Sequence, residues 1–87
     1  MVRIWAKTTT DEKVKQSIIY ENEENFDPEH FGQYLEDICA IMDIPMPVYL
    51  TKHIRHYMNF NIATFSESDF VESIDFERFV LEEASNC

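Results

Sequence analysis

His53 and His56 stand three residues apart, so on a helix they share a face and offer two imidazole nitrogens to zinc, with His30 or a carboxylate as a third ligand. Nothing in the sequence fixes that third ligand. The residue after His53 is Ile54, so no HExxH zincin pattern exists, and no cysteine pair has zinc spacing. Surface histidines beside Arg55 are the plainer reading. Ser66, Ser68 and Ser73 lack the glycines of a nucleophile elbow, and Cys39 falls on the apolar side of a predicted helix. Cys87 is terminal, with nothing fixed nearby to lower its pKa. Gly32 is the single glycine, which rules out a phosphate-cradling loop. We therefore expect no catalysis, no cofactor and no metal.

Recognition chemistry is better represented. Arg3, Trp5, Lys7, Lys13 and Lys15 all have odd numbers, so in a hairpin that keeps parity they share one sheet face. A tryptophan among cations is a stacking platform for a base or a partner's aromatic ring, or else a solvated face with lysine stems lying over the indole. A second candidate patch is the segment from Lys52 to Tyr57, with His53, Arg55 and His56. The acidic run Glu21, Glu23, Glu24, Asp27 and Glu29 either presents carboxylates to a basic partner or is a solvated loop complementing a helix dipole. It lacks the glycine and ligand alternation of a calcium loop.

The elements that must position these groups follow from periodicity. Val2, Ile4 and Ala6 alternate with Arg3, Trp5 and Lys7 as in a half-buried strand, and the pattern resumes from Lys13 to about Glu21. An antiparallel hairpin is predicted, with Thr8–Glu12 as turn and, in the absence of Asn-Gly or Asp-Gly, a loop of about four to six residues. Gln16 interrupts its apolar face. Asp27-Pro28-Glu29 supplies an N-cap, a proline for the first helical position and a carboxylate at the dipole's positive end. Behind it Phe31, Tyr34, Leu35, Ile38, Ile41 and Met42 form one predicted buried stripe, closed by Pro45 and Pro47. Gly32 inside that helix costs about 1 kcal/mol against alanine, so close packing against a neighbour is its expected reason.

From Thr51 to Phe65 two periods coexist. We expect an extended Pro47–Leu50, a short helix near 52–58 capped by Thr51 with Ile54, Tyr57 and Met58 inward, and an extended or irregular path to Phe65. Ser66–Asp69 resembles a capping box or a turn, and Ile74–Leu81 reads as a final buried strand, with a terminal helix as the alternative. The fold class is α+β: two layers, an N-terminal antiparallel hairpin, one long amphipathic helix, and one or two further strands with a short helix. The expected core draws on Ile4, Ile18, Phe31, Leu35, Ile38, Met42, Val48, Phe70, Phe79 and Leu81.

A chain of 87 residues fits one domain, and a formal charge of −10 disfavours nucleic acid and anionic membranes. Residues 1–20 carry +2, 21–51 hold eight acids and no Lys or Arg, 52–56 carry +2 and 57–87 carry −6. The opening has no apolar signal region and no apolar run spans a membrane, so a cytoplasmic protein is expected. VRIWAK, KHIRH and DFVESIDFERFVLEE resemble a group of short uncharacterised proteins of anaerobic Gram-positive bacteria. That resemblance implies a bacterial cytoplasmic protein and carries over no activity, cofactor or catalytic residue. The leading expectation is a non-enzymatic protein-interaction module that binds an unknown protein partner or itself as a homodimer. The alternatives are an acidic inhibitor or decoy of a nuclease or nucleic-acid-binding protein, and a histidine-dependent metal protein.

Overall fold

In the computed structural model, which describes residues 1–84, the chain forms a four-stranded antiparallel sheet in the order β2-β1-β4-β3. The strands are β1 (Val2–Thr10), β2 (Lys13–Asn22), β3 (Ile62–Ser66) and β4 (Arg78–Glu83), with helices α1 (Phe31–Met42) and α2 (Thr51–Phe60). The α+β class is as read from the sequence. The expected long helix with a short companion is instead two helices of comparable length, 12 and 10 residues. Among the described residues no helix is long and apolar enough to cross a membrane. Cys87 lies outside the described residues.

Thr8–Thr10 continue β1 rather than forming a loop, as their branched side chains favour, and Thr8 is buried. The turn is only Asp11-Glu12, both at positive φ (51° and 65°), the condition for a two-residue hairpin connection. Remote contacts hold it: Glu77 accepts from Asp11 N–H, and Glu77 N–H donates to Thr9 O at 2.9 Å. The register runs from Val2 opposite Asn22 to Thr8 opposite Gln16, then slips so that Thr9 faces Val14 and Lys15 is the extra residue of a bulge. The shared parity expected of the five hairpin residues therefore holds for Arg3, Trp5 and Lys7. It fails for Lys13, which pairs with Thr10, while Lys15 turns to Asp75 Oδ2 at 3.0 Å.

Asp27 caps a single 3-10 turn at Pro28–His30, accepting from Glu29 N–H at 2.9 Å, and the chain runs on into α1. The buried stripe is Phe31, Tyr34, Leu35, Ile38, Cys39 and Met42; Ile41, expected inside, is 62% exposed at the stripe's margin. α1 stops before either proline, at Asp43 in the left-handed region, where Ile44 N–H reaches back to Cys39 O. Gln16 explains itself here: its side-chain amide donates to Met42 O at 3.1 Å, pairing a carbonyl that the helix end leaves over.

The helix begins at Thr51, with Leu50 rather than Thr51 in the capping position; Leu50 N–H donates to His53 Nδ1 at 2.8 Å. It buries His53 and Tyr57, half-buries Ile54 and leaves Met58 exposed, against the expected inward Met58. Asn61 in the left-handed region ends it and lets β3 begin at once. Glu67–Asp69 is one 3-10 turn, Ser66 N–H donating to Asp69 Oδ2 at 3.0 Å, and no helix follows. Of the expected strand Ile74–Leu81 only the second half is realised, within β4, and no terminal helix forms among the described residues. Both helices lie on one sheet face, since Tyr57 meets Phe31 at a centroid distance of 5.8 Å and His53 stacks on Phe65 at 4.4 Å. Of the expected core, Val48 is 50% exposed, with Pro47 buried in its place, and Ile18 only packs against the core's edge.

Candidate interaction surface

Among the described residues no helix or further strand covers the face of the sheet opposite the helices, although Val80 on that face is buried. On it the register sets Ile19, Trp5, Glu82 and Ile62 in one cross-strand row and Ser17, Lys7, Val80 and Thr64 in the next. Val14, Thr9, Arg78 and Ser66 form a third row towards the turn. Trp5 is 37% exposed and Ile19 51%. Charges here are paired along the surface: Lys7 Nζ is 2.8 Å from Glu82 Oε1 and 3.9 Å above the Trp5 ring centre. Arg3 Nε lies 3.2 Å from Glu21 Oε2, an ion-pair distance without the alignment of a hydrogen bond. Surface pairs such as Arg3–Glu21 stabilise by about 0–1 kcal/mol; Lys7–Glu82 is half-buried. The larger effect of the latter is to lay the Lys7 stem flat and cover one indole face with a neutralised cation. Of the two sequence readings of Trp5, the geometry matches lysine over indole.

The α2 patch is on the other side of the sheet, so the structure does not bring the two candidate patches together. Lys52, Arg55 and His56 are exposed, whereas His53 and Tyr57 are interior. Lys52, His53, His56, Thr64, Ser66 and Asp69 line an open cleft of about 350 Å³. His53 Nδ1 accepts from Leu50 N–H, so Nε2 carries the proton and faces Asp69 Oδ2 at 3.6 Å. Burial lowers the His53 pKa below its usual 6.5, outweighing Asp69, which pulls it up. A neutral imidazole with its only lone pair committed to the backbone cannot take a proton from a serine. Ser66 Oγ bonds instead to Ser68 Oγ at 2.9 Å. His56 donates from Nδ1 to Ile62 O at 2.7 Å. Among the described residues no three His, Cys, Asp or Glu side chains gather as a metal set. Burial also raises the Cys39 thiol to about 11, which removes its nucleophilic form.

No protein-family model matches the chain, nor does any curated protein or any solved structure. The residues that sequence reasoning missed on the open face are Glu82, Val80, Arg78, Ile62 and Ile19. Their parity within β3 and β4 was available, but their rows required the strand order, which brings the last strand beside the first.

Proposed function

We propose that this protein is a non-enzymatic interaction module and that the open sheet face centred on Trp5 takes a second copy of the same chain. The observation that carries this reading is the charge of that face. Arg3, Lys7 and Arg78 stand against Glu21 and Glu82 there, while the whole chain is −10. It is the face on which two equally acidic molecules repel least, and Trp5, Ile19, Val14 and Ile62 give it apolar area to bury. A strongly basic partner would be drawn to the helical side, where Glu24 and Asp37 lie beside Tyr34 and Tyr20.

Sedimentation velocity over a concentration series tests it. Dimer is expected at protein concentrations up to about 1 mM, and added salt strengthens it by screening the repulsion between the two molecules. Ile19→Glu and Trp5→Ala should each give monomer while the far-UV spectrum stays unchanged. A wild-type monomer throughout this range, or a dimer that both variants retain, overturns the proposal. Dissociation by salt would point to a charge-driven contact of the acidic side.

A further inference from the structure

We infer that the cleft in the β3–β4 connection, lined by Glu67, Phe70, Val71, Glu72 and Ile74, is a docking site for a segment of a partner protein in which Arg or Lys stands beside large apolar residues. It does not depend on association through Trp5. Neighbouring antiparallel strands need a connection of about two to five residues, yet β3 and β4 are joined by residues 67–77. That extra length is pinned. Val48 N–H donates to Asp69 O at 2.7 Å, Lys15 Nζ to Asp75 O at 2.7 Å and Glu77 N–H to Thr9 O at 2.9 Å, while Phe70 and Phe76 are buried and meet edge to face at 5.6 Å. Between these anchors Val71 is held 88% exposed, more than any other large apolar side chain described. One such side chain alone is ordinary on a protein surface. Here it shares with Phe70 and Ile74 an open cleft of about 330 Å³, a size that suits a partner's side chains, and the Val48–Asp69 bond sets the half-exposed Val48 beside the same turn.

Charge decides what the cleft takes. Among the acids of the connection, Asp69 accepts from Ser66 N–H, Asp75 pairs with Lys15 and Glu77 accepts from Asp11 N–H. Glu67 and Glu72 are exposed and make no ion pair or side-chain hydrogen bond among the described residues, and these two are the acids that line the cleft. Arg78 shares a neighbouring cleft with Glu67 but forms no ion pair with it. An apolar lining with two unpaired carboxylates complements a cation on an apolar stem with apolar neighbours. A nucleic acid or an anionic lipid would meet like charge here, and a polar basic segment would leave Val71 in water. Because the connection is anchored before any partner arrives, little ordering cost is left for binding.

The test is titration of the full chain with the capped peptide Leu-Arg-Leu-Arg, and separately with Leu-Glu-Leu-Glu and Ser-Arg-Ser-Arg, followed by the Ile74 methyl resonance, which Ile74→Val assigns. Wild type should show a saturable shift with the first peptide, half complete at about 0.1–1 mM, none with the second and clearly weaker binding of the third. Added salt should weaken the complex, the opposite of its effect on the proposed dimer. Val71→Ser changes an exposed side chain, so it should fold as wild type and bind Leu-Arg-Leu-Arg roughly 3- to 10-fold more weakly. The double variant Glu67→Gln, Glu72→Gln should lose a similar factor. No saturable shift up to about 5 mM, either comparison peptide bound as tightly as the first, or unchanged affinity in both folded variants overturns the inference.

Discussion

Replacing Gly32 by alanine sets two opposing effects against each other, and the structure decides between them. Gly32 is the second residue of α1, where the change stabilises by up to about 1 kcal/mol, because glycine gives up more backbone freedom on folding. Gly32 has ordinary helical backbone, so nothing in its φ opposes the substitution. The opposition comes from Tyr49. A Cβ at position 32 would overlap the Tyr49 hydroxyl oxygen and lie 2.8 Å from Cζ and 3.2 Å from Cε1 of the same ring. The ring must leave, and with it goes the edge contact to Phe31 at 6.1 Å. That contact amounts to about 0.5–1.5 kcal/mol beyond area burial, and the ring area adds about 1 kcal/mol. Gly32→Ala alone should therefore destabilise by about 1 kcal/mol, or about 4–8 °C in Tm for a chain of this size. In a Tyr49→Ala background the obstacle is gone, and the same substitution should stabilise by about 1 kcal/mol. Urea unfolding of the four proteins, with ΔG taken from the midpoint and slope, measures a coupling of about 2 kcal/mol. A stabilising Gly32→Ala in the wild-type background, or a destabilising one in Tyr49→Ala, would refute the reasoning.

Glu12, with φ of 65°, carries left-handed strain of about 1–2 kcal/mol, so Glu12→Gly should stabilise by about 0.5–1 kcal/mol net of glycine's extra unfolded freedom; an unchanged or lower urea midpoint would contradict it. His53 and His30 should titrate on opposite sides of 6.5 in NMR, His53 below through burial and His30 above through its hydrogen bond to Glu24. Between the lowered His53 value and 6.5 the unfolded chain binds more protons, so this residue's contribution to stability is full above pH 6.5 and is lost as pH falls towards the folded value. His30 works in the other direction: its contribution is present below 6.5 and lost as pH rises through its folded value. His53→Gln should flatten the acid-side decline, and an inverted order of the two titrations would sink the assignment of His53 as the buried neutral ring.

What was legible in the sequence is what nearest neighbours decide. The alternation of β1 and most of the α1 stripe need only local spacing and stand where they were expected, whereas Asp27 caps the 3-10 turn that leads into α1 and Ile41 falls outside the stripe. The turn did not announce itself, because Asp11-Glu12 hold positive φ with help from Glu77, a residue 66 positions away. The bulge at Lys15 likewise depends on Asp75 across the fold. Between Thr51 and Phe65 the helical period is the one realised, as α2 up to Phe60; the left-handed Asn61 ends it, and β3 then alternates in its own phase, burying Ala63 and Phe65 rather than Ile62. On the candidate surface, Trp5 and its parity with Arg3 and Lys7 could be read directly. The Glu82 carboxylate that neutralises Lys7 arrives only through the β1–β4 pairing. The α2 patch went partly astray for a related reason: an amphipathic helix shows which residues share a face, but contact with Phe65 and Phe31 turned His53 and Tyr57 inward.

The acidic balance gains a different meaning once its groups are placed. Glu24 accepts from Tyr34, Asp37 from Tyr20 and Gln33, Asp69 from Ser66, and Asp27 from the Glu29 backbone. Asp75 holds Lys15, and Glu77 holds the hairpin turn. Many of the carboxylates that would serve a decoy are thus engaged in keeping this small fold together, and charge reversal among them would destabilise the molecule before it reported on any basic partner. The remaining acidity has a consequence for assembly. With the open face near neutrality and the helical side acidic apart from Lys52 and Arg55, two copies would approach face to face at little electrostatic cost. Growth through the β2 edge is hindered too, since β2 is bulged and carries Lys13 and Lys15. The proposed association through Trp5 would close at two, as expected of an isologous contact that uses the same face on both copies.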